Sequence, residues 1–520
     1  MITLRSYVGG KFHEAAGGFT PLVNPCTEEE IARVSSDGID FGEALAHARA
    51  KGRPALGELT FAERGALLAT MAKTLHAERD ELIALSLTNT GATRKDAKFD
   101  IDGGTFTLSH YAAVGEALGD RRYLVDGDGV RLGSSARFWG QHIRVPLDGV
   151  AVHINAFNFP VWGFAEKAAC AILAGMPVIS KPATSTALPA AHCMRVLAEA
   201  GVLPEGVLSM IVGRTGDLLE RLGEQDVLAF TGSAATALGL RSMRNLLARS
   251  THVNIEADSL NAAVLALGQE TGDETWQAFL RDVAREMTQK TGQKCTAVRR
   301  ILVPRPQLEV AQEALVAILQ ETVVGDPAAD GVTMGPLATR QQLDDAVAGV
   351  ELLSAEAKRV LGTAGRAVGA GAPEGKGFFF APTLLRMDDP AAACEVHRHE
   401  VFGPLATLIG YDGTAAEAAD LVARGGGTLV TSLYADDREF IAEFLRHGGS
   451  STGRLYLGSA KVAGSLPGSG VALPSLLHGG PGRAGGGTEL GSERGLELYT
   501  QRLAVSGDRS IIERMLGTRE

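Results

Sequence analysis

Apolar residues fall into distinct patterns along this chain. From about Asp40 to Leu118 they recur at helical spacing, as at Ala44, Ala48, Leu67, Leu68, Met71, Leu75, Leu82 and Leu85, which predicts a helical block. Residues 1–30 read as loops and short strands, with Asn24-Pro25 as a turn. Residues 134–148 break the helical spacing, and Phe138, His142, Ile143 and Val145 predict an extended arm or hairpin. After it, short β-branched runs at Gly149–Ile154, Pro177–Ser180, Gly206–Val212, Val227–Phe230 and His252–Ile255 alternate with helical stretches at Val161–Leu173, Ala187–Ala200, Gly216–Leu222 and Ala234–Leu247. Strand–helix alternation with short turns marks a doubly wound parallel sheet. A second alternating region runs from about Leu260 to Ala460, with a helix at Glu274–Lys290 and strands near Arg300–Val303, Ala406–Tyr411 and Thr428–Tyr434. Gly464–Gly487 holds nine glycines in 24 residues. It reads either as a loop that approaches something closely or as a flexible linker. Leu498–Val505 reads as a closing strand.

The expected fold class is therefore α/β, and the length of 520 residues leaves room for about three units. A doubly wound α/β domain would take residues 1–120 and 149–259, and a second α/β domain residues 260–463. Residues 121–148 and 464–520 would form a small β oligomerisation arm and tail. An exposed hairpin is marginally stable alone, so the arm predicts a homo-oligomer, a dimer at least.

Composition narrows the partners. The formal charge of −11 argues against a nucleic-acid binder, while a local basic patch would still admit an anionic small molecule. Ala168–Ile179, the longest nearly apolar run, is shorter than the ~20 residues of a membrane helix. MITLRSYVGG lacks the apolar core of a signal peptide. Five widely spaced cysteines without a C-x-x-C suggest no disulfide framework and no zinc site, and a cytoplasmic protein is expected.

Candidate chemistry gathers at strand ends. Cys295, in TGQKCTA, is either a thiolate nucleophile activated by the neighbouring Lys290 and Lys294 or a small buried hydrophobe. Glu256 ends an apolar strand, at the edge where parallel sheets build their sites; it can be a general base or an ordinary capping carboxylate. Asn158, in INAFNFP, can donate to a developing oxyanion or simply turn the chain before Pro160. Lys181 emerges after the strand PVIS and can meet a phosphate or a ribose hydroxyl. Ser233, in FTGS, opens a helix that can hold a phosphate, although G-x-G-x-x-G is absent. Glu400 and Phe402 precede a Gly-Pro turn.

The ordered series FNFP, KPA, FTGS, a strand-end Glu, GQxC and ExFGP resembles the aldehyde dehydrogenase superfamily from roughly residue 5 to 505. The resemblance implies an aldehyde dehydrogenase fold and NAD(P)-dependent oxidation of an aldehyde to an acid. Cys295 would attack the aldehyde, Asn158 and the Cys295 N–H would hold the oxyanion, and Glu256 would activate water against the thioester. Lys181, Ser233, Glu400 and Phe402 match cofactor-binding positions. Lys167 and Glu489 match a proton path, and Glu166 can assist it.

Three departures refine the expectation. Thr184 stands where a ribose-binding Glu is common in the family, which favours NADP, with NAD as the other possibility. EADS replaces the usual ELGG after the strand. HGGPGRAGGG is unlike the usual C-terminal segment, and with EADSLN it resembles the branch that oxidises coenzyme A-linked semialdehydes after aromatic ring cleavage, as in benzoate degradation. Three alternatives stay open: a general aldehyde dehydrogenase, a CoA-acylating one, and a non-redox thiol hydrolase.

Overall fold

A computed structural model describes residues 2–392, 394–465 and 467–517. Met1, Ala393, Leu466 and residues 518–520, which fall inside the expected parts, lie outside the described residues. Two seven-stranded sheets dominate the fold. The first orders its strands His252–Glu256, Val227–Thr231, Ala151–Ile154, Val178–Lys181, Leu208–Met210, Ser6–Val8 and Lys11–His13. The first five are parallel, and the N-terminal pair joins antiparallel. Strand order reverses between Ala151–Ile154 and Val227–Thr231, so this sheet has its topological switch point there, with a crevice outside the carboxyl ends of both strands.

The second sheet runs Lys358–Leu361, Thr383–Met387, Leu405–Tyr411, Arg300–Pro304, Ala262–Leu265, Thr428–Tyr434 and Thr452–Gly458, antiparallel only at the first pair. Leu405–Tyr411 and Thr428–Tyr434 are buried along their whole length, as strands covered on both faces must be. Separate buried apolar clusters fill the space around the two sheets.

The extended arm forms as an antiparallel sheet of Leu124–Arg131, Phe138–Pro146 and Thr500–Asp508. The closing strand begins later than its apolar pattern suggested. Leu496 and Tyr499 are pulled into the first core, so Ser492–Tyr499 is a 3₁₀ stretch and pairing starts at Thr500. A terminal helix, Arg509–Leu516, then packs Ile512 and Leu516 against Ile143.

Two expected helices are shorter than predicted. Gly216–Leu222 yields only the 3₁₀ turn Leu218–Arg221. Ala234–Leu247 breaks into Ala234–Arg241 and Arg244–Ala248, because Met243 turns extended and packs with Leu246 toward the core. Among the described residues no helix is long and apolar enough to cross a membrane.

The glycine-rich stretch is not a linker. Leu477–Gly479 pairs antiparallel with Thr488–Leu490, and the loop between them lies along the strand that ends in Glu256. Gly487 N–H donates to the Ile255 carbonyl and Ala257 N–H to the Ala484 carbonyl. A Cβ at Gly485 or Gly487 would fall 2.2 or 2.4 Å from the Ile255 carbonyl oxygen, so close approach explains those two glycines.

Candidate active site

The candidate residues arrive from carboxyl ends of strands and from one tight loop. Asn158 follows Ala151–Ile154, Lys181 ends Val178–Lys181, and Glu256 ends His252–Glu256. Lys167 lies inside helix Trp162–Ala174, whose first backbone N–H groups donate to the Asp100 carboxylate.

Cys295 sits on an unusual backbone. Lys290, Thr291 and Gly292 are all left-handed, with φ of 53°, 56° and 66°. Such conformations cost of order 1–3 kcal/mol each in non-glycine residues and persist only where surroundings enforce them. The enforcement is visible. Arg299 donates to the carbonyls of Gly292 (3.0 Å), Lys294 (3.2 Å) and Gly403 (2.9 Å), and its Nε lies 3.2 Å from Glu400 Oε1. Asn261 Nδ2 donates to the carbonyls of Cys295 (2.7 Å) and Ala297 (2.9 Å). A Cβ at Gly292 would meet the Gly403 carbonyl oxygen at 2.2 Å. Gly292→Ala should therefore destabilise the fold by roughly 2–3 kcal/mol. Thermal unfolding beside the parent checks this, and an unchanged midpoint would contradict the packing described.

The departure EADSLN has a clear local role. Ser259 N–H donates to Glu400 Oε2 at 3.0 Å, and Ser259 Oγ donates to Asn261 Oδ1 at 2.6 Å. The segment thus ties Glu400 to the loop of the sulfur.

One expectation fails. Neither Lys290 nor Lys294 activates the thiol. Lys294 is buried, 2.6 Å from Glu286 Oε2 and 2.8 Å from Gln289 Oε1. Lys290 Nζ stands 4.5 Å over the Phe159 ring, in the field of Asp100 and Asp96. The thiol instead feels burial and then the carboxylates of Glu256, Glu166 and Glu400, which push it well above its ordinary value.

A residue not singled out from sequence completes the centre. His478 Nε2 lies 3.8 Å from Cys295 Sγ and 3.2 Å from Glu256 Oε1. Burial alone would raise Glu256, but the adjoining His478, then Lys167, outweighs it and holds the carboxylate below its ordinary value. Burial likewise opposes a charged imidazole, yet Glu256 raises His478 above its own. The only sequence signal for His478 was its place at the head of HGGPGRAGGG.

Next to this group, Lys167 Nζ bridges Glu166 (3.3 Å) and Glu489 (3.1 Å). Burial disfavours its charge, but Glu489 and Glu166 override that, and Lys167 stays an ammonium. Burial raises Glu166, against the pull of Lys167 and with the push of Glu489. Asn158 Nδ2 donates one hydrogen to the Gln293 carbonyl at 3.0 Å, which leaves its second hydrogen for a ligand.

Two cavities meet at the sulfur. A small one of about 50 Å³ is lined by Phe159, Trp162, Lys167 and His478, among others. A cleft of about 620 Å³ lies at the switch point and is lined by Asn155, Lys181, Thr184, Ser233, Glu400 and Phe402, among others. Asn158, Glu256 and Cys295 line both.

The cleft fits a dinucleotide. Asn155 Oδ1 is buried there without a partner among the described residues, and Lys181 Nζ reaches only Thr184 Oγ1, at 3.4 Å. Ser233 caps helix Ala234–Arg241, accepting from Thr236 N–H. Phe402 packs edge-on to Phe157. Burial pushes Glu400 up to about 7 even with Arg299 opposing it.

A doubly wound sheet with a switch-point cleft that ends at a cysteine, a carboxylate and an amide donor has the parts of a dinucleotide-binding enzyme that works through a thiol nucleophile. The chain belongs to the aldehyde dehydrogenase family, whose pattern it matches over residues 12–505. It is 44% identical over 478 residues to 3,4-dehydroadipyl-CoA semialdehyde dehydrogenase of Aromatoleum evansii, covering 92% of this chain and 93% of that protein. It is 27% identical over 477 residues to alpha-ketoglutaric semialdehyde dehydrogenase of Bacillus subtilis strain 168, covering 91% and 93%. The crystal structure of an NAD-dependent aldehyde dehydrogenase from Sinorhizobium meliloti superposes with a TM-score of 0.83 at 24% identity, over 97% of this chain and 95% of that one. The protein is therefore an oxidoreductase that oxidises aldehydes, with the aldehyde dehydrogenase fold.

Proposed function

We propose that the chain oxidises a coenzyme A-linked semialdehyde, of the 3,4-dehydroadipyl-CoA semialdehyde type, to its carboxylic acid with NADP. The observation that carries the chemistry is that Cys295, Asn158 and Glu256 line both cavities, so aldehyde and cofactor can reach one sulfur from two sides. The 44% identical relative supports the substrate class. The small cavity has room for the reacting end only, so a CoA nucleotide would lie outside it.

Sγ of Cys295 adds to the aldehyde carbon, and the second Asn158 Nδ2–H with the Cys295 N–H holds the oxyanion. A bound nicotinamide would supply the acceptor for the hydride that leaves the adduct on Cys295. Glu256 then takes a proton from the water that attacks the thioester. Lys167, with Glu489 and Glu166, gives that proton a buried charged route. Lys181, Thr184 and Ser233 would hold the adenosine side of the cofactor, and Glu400 with Phe402 the nicotinamide side. We assign cofactor binding to residues 1–120 and 149–259, catalysis to 260–463, and assembly of at least a dimer to the arm and tail, in a cytoplasmic enzyme. Glu256, buried beside the sulfur, favours transfer to water over transfer to free CoA. The cleft at the switch point favours a redox enzyme over a thiol hydrolase.

The test follows nucleotide reduction with a six-carbon semialdehyde as its CoA thioester and as the free acid. The thioester should be preferred, and NADP should give the higher kcat/KM. Thr184→Glu should lower kcat/KM with NADP at least about tenfold, because a carboxylate there repels a 2′-phosphate. Equal rates for thioester and acid would remove the CoA assignment, and an NAD preference in the parent would remove the NADP one.

A further inference from the structure

His478 is placed where two steps need it. It is 5% exposed. Its strand, Leu477–Gly479, pairs with Thr488–Leu490 so that His478 stands opposite Glu489. A single ring atom, Nε2, faces both Glu256 Oε1 at 3.2 Å and Cys295 Sγ at 3.8 Å. Sγ, Nε2 and a Glu256 oxygen all lie within 4.8 Å of one another. Nδ1 is buried without a partner among the described residues. The polar contacts of the ring among the described residues are therefore those at Nε2.

Charge balance points the same way. Glu256, Glu166 and Arg454 act on the imidazole, and Lys167 and Glu489 stand behind them. Glu400 and Arg299 also act on the sulfur, so four carboxylates, of which burial raises Glu166 to about 7, face three fixed cations. A thiolate at Cys295 would add a further negative charge in a water-poor site, where uncompensated charge is costly. A protonated His478 is the fourth cation.

We propose that His478 is a further catalytic residue, an imidazolium whose Nε2–H serves Glu256 and the Cys295 sulfur in turn as negative charge moves between them. The proposal rests on the aldehyde-oxidising reading above. At rest the thiol holds its proton and Nε2–H points to the Glu256 carboxylate. During attack the S–H proton passes to Glu256, Sγ bonds to the carbonyl carbon, and the C=O π pair moves onto oxygen. As the carboxylate is neutralised, Nε2–H turns to sulfur. Glu256 releases that proton, which is one the overall oxidation gives to solvent, before it acts as base. During hydrolysis a water proton passes to Glu256, the water oxygen bonds to the acyl carbon, and the C–S bond breaks with its pair on Sγ. The imidazolium then stabilises the departing thiolate until it is reprotonated.

The test is alkylation of Cys295 by iodoacetamide from acid to alkaline pH, followed by mass spectrometry of the Cys295 peptide. The unmodified full-length protein is compared with His478→Phe and His478→Gln. The parent profile should show two inflections, imidazole and thiol. Both variants should lose the lower one and react at least about tenfold more slowly near pH 7, which corresponds to a thiol midpoint raised by about one unit. A single inflection in the ordinary thiol range in the parent overturns the proposal without any variant. Superimposable profiles in a folded variant also overturn it, and a parent-like profile in His478→Gln overturns the charged role. Alkylation needs no aldehyde, so a parent that oxidises none while His478 controls the thiol would sink the proposed function, and with it the catalytic role, and leave only the coupling of His478 to the sulfur standing.

Discussion

Cys295→Ala should lose aldehyde oxidation by at least about 10⁴-fold, the scale seen when a covalent nucleophile is removed. Among the described residues the sulfur is the strongest nucleophile shared by the two cavities, since Asn158, Glu256 and Thr231 beside it carry an amide, a carboxylate held below its ordinary range and an alcohol, whose oxygen is far less nucleophilic than a thiolate. The fold should not suffer, because the thiol's polar contacts, to His478 Nε2 at 3.8 Å and to the Glu256 carboxylate, lie in the cavity and not in the packed core. The measurement is steady-state nucleotide reduction beside a thermal melt and a cofactor titration. Activity within tenfold of the parent would show that the reaction does not pass through this sulfur.

Glu256→Gln should separate the two halves of the reaction. The amide keeps the shape beside Thr231 Oγ1 (3.4 Å) and His478 Nε2 (3.2 Å) but cannot take a proton from water. One equivalent of reduced nucleotide per chain should still form, more slowly than in the parent because the thiol proton has lost its acceptor, after which turnover should fall about 10²–10⁴-fold. The signature is a stopped-flow burst with acyl-enzyme visible by intact mass. The sign with pH follows from the low carboxylate. In the parent, Glu256 is ionised across neutral pH and loses its base function only as pH falls through its depressed range. The variant's residual rate should show no such acid limb. Full turnover without a burst would assign the base elsewhere.

Much of this was legible in the residues. Buried parallel strands write themselves as continuous apolar runs, so Thr428–Tyr434 and Val227–Thr231 were found within one residue. Motifs at strand ends were legible for the same reason, since the sheet aligns those ends. Asn158, Glu256 and Cys295 do converge on one place. What local pattern could not show is contact between distant segments. Lys290 and Lys294 adjoin Cys295 in sequence, yet three left-handed residues and buried carboxylates turn them away from it. His478 lies 183 positions from Cys295, inside a run whose glycines look flexible until the Ile255 carbonyl against them is seen. Asn261 and Arg299 act through backbone carbonyls, which leave no trace in side-chain patterns.

Arg299 also limits how this enzyme can be re-engineered. Its one guanidinium binds the chain before the sulfur, the turn after Phe402 and the Glu400 carboxylate. On the proposed roles of Glu400 and Cys295, cofactor grip and nucleophile geometry are therefore a single cassette. A redesign that moves Glu400 must carry Ser259, Asn261, Gly292 and Arg299 with it, whereas a change at Thr184, outside that set of bonds, should leave the sulfur where it is.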